Sequence, residues 1–547
     1  MPAISNSKRL RISEKAALAG FSRLPVVLVA VLAALLSGGA VWVCSRQGWT
    51  LYYGDAEAHL NIARRVIDSR TPGYEQLGTA WLPLLHVLML PLVRNDALWR
   101  TGLAGAIPPA ILFAAGVTFL FAAVRRVFDS TLAGATAAAL YALNPNALYL
   151  ASIPMTEAVF FGSLAALLYF TVRFRDTQSL GSVAGAGLAT FVGTLTRYDG
   201  WFLIPFATLY FLFAARRRRF TAAFVFGALA SAGPLLWLAY NAWVFDNVWE
   251  FYSGPASAKA IQRGLSYPGH GDWNTALIYL GWAVRACAGA PLFFIGAAGA
   301  LAALWKRAFW PLLLLSLPGV FYLWNIHSAD APIHLPYLWP HGYYNTRYGL
   351  SLLPLAVFGG AAIVALAARP TEPRALASGV TALVILIAAS APWLLNPHPE
   401  AWITWKESQH NSVARRAWTR KAADFFGARY HPGDGIFTSF GDYTGAFREA
   451  GIPLRDTLTG DNGLPWQAAV LRPDLCLWEK WGFVQGGDPV QTAINRARRH
   501  GPNYELARQI IVKGAPVIEI YERSTAPSNL YHPAYDDSIP QSTRRPE

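Results

Sequence analysis

The chain has 547 residues, of which 54% are hydrophobic and only 14% are charged, and its mean hydropathy is +0.29. A soluble protein would carry roughly 25% charged residues, so the composition favours a multi-span membrane protein. The formal net charge of +14 also fits a nucleic-acid-binding protein, unless the basic residues hold cytoplasmic loops. Three widely spaced cysteines, Cys44, Cys287 and Cys476, give neither a disulfide framework nor a Cys/His metal site.

Eleven apolar segments follow a basic tail at residues 1–23. Each has about 15 to 25 residues, the length needed to cross roughly 30 Å of hydrocarbon. The predicted spans are 24–43, 102–124, 131–150, 158–172, 180–195, 201–215, 220–244, 286–305, 308–324, 348–368 and 375–395. The first is too long for a signal-peptide core and lacks a convincing cleavage site, which indicates an uncleaved anchor.

Basic residues mark every second connection between these spans. The N-terminal tail is basic, and so are the short turns at 125–126, 173–175, 216–219, 306–307 and 369–374. All of them fall on one side of the membrane if the N-terminus is cytoplasmic, as the positive-inside bias requires. The basic charge therefore reflects orientation, which argues against nucleic-acid binding. The C-terminus is predicted to lie outside.

The first outer loop, residues 44–101, is predicted to form two surface helices. In "LYYGDAEAHLNIARRV", Ala56, Leu60 and Ala63 share one helical face, which indicates an amphipathic helix along the membrane surface. The apolar stretch 81–93, with prolines near both ends, is too short to span and suggests a second surface or re-entrant helix.

Asp55 and Glu57 open the first of these helices. One interpretation is structural, because an acid at the N-terminus caps a helix and suits its dipole. The other is functional: an acid that faces a cavity between spans acts as a general base on a hydroxyl or amine.

Three further motifs lie at the outer ends of spans: "IPMTEAVFF", "TLTRYDGWFL" and "HGYYNTRYGLSLLP". A helix cap, a local ion pair and an interfacial aromatic belt account for each one singly. Together they place several ionisable groups at one membrane depth, where such groups are costly enough to suggest function. The candidate residues they contribute are Glu157, Arg197, Tyr198, Asp199, Asn345, Arg347 and Tyr348.

The chain becomes soluble in character from about residue 397. "DGIFTSFGD" predicts a strand, and "RQIIVKGAPVIEIYER" predicts a hairpin around Gly514. "VARRAWTRKAADFFGARYHPG" and "QTAINRARRHG" predict helices. We therefore expect a transmembrane domain over 24–396, an extracytoplasmic α/β domain over 397–523, and a polar, disordered tail over 524–547.

The order of these motifs resembles the GT-C superfamily of membrane glycosyltransferases, over roughly residues 20–370. The branch around the protein O-mannosyltransferases and the lipid A aminoarabinose transferase is the most similar. The resemblance implies an all-α polytopic domain with two surface helices in the first outer loop, which supplies the essential acid. That acid corresponds here to Asp55.

The resemblance also implies a function: transfer of a sugar from a polyprenyl-phosphate carrier to a lipid, glycan or protein acceptor in the cell envelope. Asp55 is then the base, assisted by Glu57, and one well-placed acid favours inversion at the sugar. The phosphate-binding candidates are Arg197, Arg347, Lys259 and Arg263, and the substrate-binding candidates are His59, Glu157, Tyr198, Asp199, Asn345 and Tyr348.

Several alternatives stay open at this point. Relatives often carry further acids that hold a divalent metal, whereas Ala56 separates Asp55 from Glu57 here, so the sequence decides neither for nor against a metal ion. A transporter or lipid-linked sugar flippase is the rival class, although its ionisable groups should lie near the midplane on repeated halves. A non-catalytic receptor or assembly factor is the third.

Overall fold

The computed structural model describes residues 23–262, 265–329, 331–367, 372–441 and 444–524. The chain forms two compact units, one of Met1–Leu60 with Gly78–Asn411 and the other of Asn61–Leu77 with Ser412–Glu547. The second unit includes Asn61–Leu77 from the loop after the first helix. Its C-terminal part begins at Ser412, after the predicted domain boundary at 397. The compact units and the predicted domains therefore share most of their residues but not their boundaries.

The first unit is built from apolar helices. Among the described residues, seven helices are long and apolar enough to cross a membrane: Leu24–Arg46, Leu103–Phe128, Glu157–Thr177, Arg219–Phe245, Phe309–Ser328, Thr346–Ala367 and Leu376–Leu395. The helices Trp273–Ala288 and Ala290–Trp305 are bent by 111° at their junction and raise the number to eight when the pair is counted as one span. Three predicted spans correspond to shorter apolar helices, Thr131–Ala142, Leu180–Thr194 and Asp199–Ala214. The polytopic α-helical fold is confirmed, and the count of eleven spans stays a prediction.

Two predicted spans differ from the observed helices for local reasons. The segment 131–150 is not continuous, because the Asn144 side chain accepts a hydrogen bond from the Ala147 amide and starts a new helix at Pro145. Proline lacks the amide hydrogen that a continuing helix needs. The predicted span 286–305 overlaps two helices, Trp273–Ala288 and Ala290–Trp305. They are divided at Gly289, whose positive φ of 83° only glycine adopts readily.

The first outer loop contains both of the predicted helices, as Gly54–Arg65 and Leu84–Val93. The first has acids in its opening turn and arginines in its last turn, which matches the helix dipole at both ends. The short helices Tyr74–Leu77 and Asp96–Thr101 complete the loop.

The remaining helices of the first unit are short, except for three near its end, Leu353–Ala367, Glu372–Leu395 and Ile403–Arg429. They are Pro145–Ala151, Glu250–Ser253, Ala258–Gln262, the 3-10 helix Thr346–Leu352 that continues as Leu353–Ala367, Glu372–Leu395, Pro399–Ala401 and the start of Ile403–Arg429. The largest buried apolar cluster draws mainly on the helices Leu103–Phe128, Glu157–Thr177 and Leu353–Ala367.

Backbones touch directly at glycines in this core. A Cβ atom on Gly116 would lie 2.8 Å from the Cα of Gly162 on the neighbouring helix. A Cβ atom on Gly349 would lie 2.2 Å from the carbonyl oxygen of Ala283. Each position therefore accepts only glycine unless the two segments move apart.

The second unit is a small α/β fold with a five-stranded sheet. Its strands are β1 Ile436–Thr438, β2 Thr457–Leu458, β3 Trp481–Gln485, β4 Tyr504–Ile510 and β5 Ile518–Arg523, in the order β2-β1-β3-β5-β4. β1 pairs in parallel with β2 and β3, and β5 pairs antiparallel with β3 and β4. The β4–β5 pair confirms the hairpin predicted around Gly514, and β1 confirms the other predicted strand.

Helices flank this sheet. The rest of Ile403–Arg429 belongs to the unit, with Ala446–Ala450, Leu454–Asp456, Gly460–Asn462, Leu464–Leu471, Pro473–Cys476 and Pro489–His500. The two predicted helices are thus present, although the first begins earlier than predicted and ends at Arg429, before His431 and Pro432. Buried Phe437, Val484 and Ile494 lie at the centre of a separate apolar core.

Candidate active site

Asp55 and Arg347 meet although 292 residues separate them in the sequence. Asp55 lies in the first turn of Gly54–Arg65, and Arg347 is the second residue of the 3-10 helix Thr346–Leu352. The Arg347 Nη2 donates to Asp55 Oδ2 at 2.6 Å. The Asp55 side chain is 35% exposed and that of Arg347 only 12%. Asp55 is therefore the more accessible member of this ion pair, and the Arg347 guanidinium is the more buried one.

Glu157 joins Arg347 to the second predicted arginine, Arg197. It is the first residue of the helix Glu157–Thr177, and its side chain is 5% exposed. Its Oε1 lies 3.0 Å from Arg197 Nη1 and 3.3 Å from Arg347 Nε. One carboxylate oxygen thus holds both guanidinium groups in a single cluster.

Arg197 lies between the ends of two helices, Leu180–Thr194 and Asp199–Ala214. Its Nη1 also donates to Thr156 Oγ1 at 2.8 Å, and its Nη2 donates to the Tyr322 hydroxyl. The Nε is 3.4 Å from Asp199 Oδ1. The chain turns at Arg197, so the guanidinium reaches side chains from three different helices.

Glu407 supports the cluster from the helix Ile403–Arg429. Its carboxylate accepts hydrogen bonds from the amides of Asn345 and Thr346, at 3.0 and 2.8 Å, and from the Thr346 hydroxyl at 2.5 Å. Arg347 Nη1 is 3.8 Å away. Burial raises the pKa of Glu407, while the charge of Arg347 and these hydrogen bonds oppose that rise.

Aromatic rings enclose Arg347. Its guanidinium carbon lies 5.3 Å from the ring centre of Tyr53 and 5.7 Å from that of Tyr348. The Tyr348 ring is in turn 4.4 Å from that of Tyr322. Cation–π contacts of this kind stabilise a charge that is withdrawn from water.

His59 faces the same region and forms a close pair with His86. Its Nδ1 lies 2.8 Å from Nε2 of His86, and its ring packs 4.8 Å from that of Trp81. Burial lowers the pKa of His59 to about 3, and the charges of Arg347 and Arg197 act in the same direction. A histidine in this state is uncharged at neutral pH.

Tyr198, Asn345 and Lys259 contact residues other than the two arginines. Glu57 is buried two residues after Asp55. The Tyr198 hydroxyl accepts a hydrogen bond from Trp237 Nε1 at 3.2 Å, and the Asn345 side chain donates to the Pro332 carbonyl at 3.0 Å. Exposed Lys259 lies 5.1 Å over the ring of Tyr252. Arg263 is outside the described residues.

Sequence reasoning missed three residues of the cluster: Glu407, Tyr53 and Tyr322. Glu407 stands after the last predicted span in the stretch "EAWITWKES", whose two tryptophans are a usable signal because they are typical of a membrane interface. Tyr322 lies on the apolar helix Phe309–Ser328, and Tyr53 stands two residues before Asp55. Nothing in the local pattern distinguishes either tyrosine from the interfacial aromatic belt.

The cluster suits a reaction in which an anion leaves. Two guanidinium groups provide forked donors for phosphate oxygens and keep their charge, and Asp55 is an accessible proton acceptor. Within the described residues, no three side chains of His, Cys, Asp or Glu lie together as a metal site.

Comparison with known proteins points in one direction. The sequence model of the dolichyl-phosphate-mannose-protein mannosyltransferase family matches residues 98–240. No curated protein sequence gives a significant match to the chain.

Solved structures match over most of the chain. ArnT from Cupriavidus metallidurans bound to undecaprenyl phosphate is 14% identical with a TM-score of 0.56, over 91% of this chain and 98% of that one. Its apo state is 14% identical with a TM-score of 0.50, over 88% and 97%. The apo oligosaccharyltransferase of Archaeoglobus fulgidus, 15% identical, gives a TM-score of 0.47 over 84% and 69%.

The chain therefore shares its fold with ArnT over nearly the whole of both chains, and residues 98–240 are similar to the mannosyltransferase family. Both findings support the resemblance to the GT-C superfamily that the order of its motifs predicted.

Proposed function

We propose that the chain transfers a sugar from a polyprenyl-phosphate carrier to an envelope lipid, glycan or protein on the extracytoplasmic side of the bacterial inner membrane. One observation carries this proposal: accessible Asp55 contacts buried Arg347, which Glu157 links to Arg197. A base and two phosphate-binding groups are the parts that such a transfer needs. The similarity to a protein that binds undecaprenyl phosphate supports the choice of donor.

The chemical step follows from these roles. The acceptor hydroxyl or amine attacks the anomeric carbon while its proton passes to the Asp55 carboxylate. The bond from that carbon to the phosphate oxygen breaks, and polyprenyl phosphate leaves with the electron pair. Arg347 and Arg197 stabilise the charge that develops on the leaving phosphate. A single displacement inverts the configuration at the sugar.

In this scheme, donor binding releases the Asp55 carboxylate from Arg347 so that it can act as the base. Asp55 is held by Arg347 at 2.6 Å in the structure. A donor phosphate competes for the same guanidinium, which releases the carboxylate to accept a proton. Arg347 thus couples occupation of the donor site to the availability of the base.

The position of the charged groups argues against the rival transporter. Glu157 is the first residue of its helix, and Arg347 lies at the start of the apolar stretch Thr346–Ala367. These groups are at helix ends, whereas transporters bind substrate near the membrane midplane. Helix ends are where a membrane transferase meets a polar headgroup.

The test uses purified full-length protein in nanodiscs, with an extract of polyprenyl-phosphate sugars as donor and an envelope extract as acceptor. Mass spectrometry follows the loss of donor and the release of free polyprenyl phosphate. We expect wild type to release the carrier and Asp55→Asn to be slower by about 10²- to 10⁴-fold, the usual contribution of a general base. The matched control is Asp96→Asn, an exposed acid on the same loop.

Two outcomes overturn the proposal. Full activity in Asp55→Asn removes the base assignment. Movement of the donor between leaflets of reconstituted vesicles, without consumption, identifies a flippase instead.

A further inference from the structure

We propose that Glu407 is a positioning residue that holds Arg347 in the geometry needed to bind the donor phosphate. The inference rests on the proposed function and assigns a role to a residue outside the family-like motifs. Both oxygens of its carboxylate are engaged by the two residues that precede Arg347. Its side chain is only 3% exposed, so water does not compete for these contacts.

The contacts of Glu407 form a helix cap supplied from elsewhere in the chain. The 3-10 helix Thr346–Leu352 has no hydrogen bond from the side chain of its own N-cap residue, Asn345. The first amides of a helix need an acceptor, and a negative charge there also suits the helix dipole. Glu407, 62 residues away from Asn345, supplies both.

The capped backbone has a conformation that needs external support. Asn345 has a φ of 53°, in the left-handed region that few residues other than glycine adopt. Its side chain is anchored to the Pro332 carbonyl and its amide to Glu407. This turn directs the chain into the 3-10 helix, and Arg347 follows two residues later. A change in the turn therefore moves the guanidinium.

Glu407 acts through the backbone more than through its charge. Its nearest approach to Arg347 is 3.8 Å, against 2.6 Å for Asp55 and 3.3 Å for Glu157. The first distance is beyond a normal hydrogen bond. Arg347 thus stays available to a phosphate while the segment that carries it is fixed.

The helix that carries Glu407 is itself held firmly. The Thr404 amide donates to Asn146 Oδ1 at 3.0 Å, and the hydroxyls of Ser408 and Tyr149 are 2.8 Å apart. These contacts flank Glu407 on both sides and join its helix to Pro145–Ala151. The Glu407 carboxylate is therefore held in place, and it fixes the position of the turn at Asn345.

The test measures donor and acceptor kinetics of Glu407→Gln. Glutamine keeps the size but can offer only one acceptor oxygen to the two amides. We expect the donor KM to rise about tenfold or more, since one misplaced charge-assisted contact has about that effect, while the acceptor KM stays constant. Glu400→Gln, an exposed acid on the preceding short helix, is the matched control and should equal wild type.

A double-variant cycle separates positioning from a merely structural role. If Glu407 acts through Arg347, Glu407→Gln combined with Arg347→Lys should lose little more than Arg347→Lys alone. If Glu407→Gln does not fold, Thr346→Val and Thr346→Ser replace it. The valine variant should raise the donor KM, and the serine variant, which keeps the hydroxyl bond to Glu407, should restore it.

The inference is wrong if these variants lower only the folded yield or the melting temperature, or if the losses add in full. Failure of the proposed function is distinct, because wild type would then consume no donor. Active wild type with an unchanged donor KM in the variants removes only the role of Glu407.

Discussion

Each of the two units contains buried arginine–carboxylate contacts, but their composition differs. In the second unit, Asp68 accepts from Arg64 Nε at 2.8 Å, from Arg455 Nη1 at 3.2 Å and from the Leu454 amide at 3.3 Å. Both of its oxygens are engaged, and its side chain is 4% exposed. This carboxylate has no accessible edge, so its contacts serve the fold.

In the cluster around Arg347 and Arg197 in the first unit, acids outnumber arginines. Four carboxylates, those of Asp55, Glu157, Asp199 and Glu407, lie within 4 Å of only two guanidinium groups. Asp55 is partly exposed, and Glu157 Oε2 has no hydrogen-bond partner among the described residues. An excess of carboxylate around few cations leaves capacity for chemistry, whereas a carboxylate with both oxygens engaged, such as Asp68, gives only stability. The following experiments test that distinction.

The largest expected effect is on stability, in the second unit. Asp68→Ala should lower the free energy of unfolding by about 3–5 kcal/mol, because it leaves buried arginine charge without its partner. Protection of the C-terminal segment from proteolysis, measured on the full-length protein against temperature, checks this.

The matched control for Asp68 is Asp474→Ala, which removes a more exposed pair with Arg472 and should cost less than about 1 kcal/mol. If the Asp68 variant raised the donor KM without loss of stability, the contrast between a structural and a functional set of charges would fail.

Arg347→Ala should lower activity, and it also costs stability because it removes a partner of the buried carboxylates of Glu157 and Glu407. We expect the donor KM to rise by about 10- to 100-fold, the range for loss of one charge-assisted bidentate contact. Arg347→Lys should recover only part of this, because an ammonium group lacks the planar fork. Donor titrations of initial rate in nanodiscs provide the measurement. An unchanged donor KM would move the phosphate role to Lys259 or Arg263.

The smallest effect concerns pH and His59. Its pKa is about 3 when folded and about 6.5 when unfolded, so below pH 6.5 the unfolded chain binds a proton that the folded chain does not. This contribution to stability is complete above pH 6.5 and is lost as pH falls towards 3, by about 2 kcal/mol at pH 5.

Melting temperatures at pH 7.5 and 5 check the His59 prediction. Wild type should lose more stability at the lower pH than His59→Gln, while His431→Gln, whose side chain is 77% exposed in the native protein, should follow wild type. Equal pH dependence of wild type and His59→Gln would contradict the burial of a neutral histidine.

The sequence predicts those features that depend on local pattern. Hydropathy identified the apolar helices, and the acids and arginines at opposite ends of Gly54–Arg65 marked a surface helix. Motifs at span ends identified Asp55, Glu157, Arg197 and Arg347 as candidates, because charge is costly at that depth. The structure brings these four together, while their catalytic roles stay predictions.

Long-range contacts are what the sequence could not predict. Glu407 reaches the turn before Arg347 from a helix that pattern alone assigns to the soluble domain. Residues 61–77 belong to a different compact unit from Asp55, although the helical pattern that includes Asp55 continues into them. Periodicity reports which face of a helix is buried, and carries no information on which distant segment covers it.

The glycine contacts in the core have a consequence for how such enzymes diverge. Gly162 lies one and a half turns beyond Glu157, and Gly349 lies two residues beyond Arg347, so each sets how far a charged group stands from its neighbours. A methyl group at either position would alter the spacing of the charges while every charge remained present. Selection on the reaction therefore extends to residues that have no functional group at all, and catalytic motifs can be intact in a relative whose backbone no longer permits catalysis.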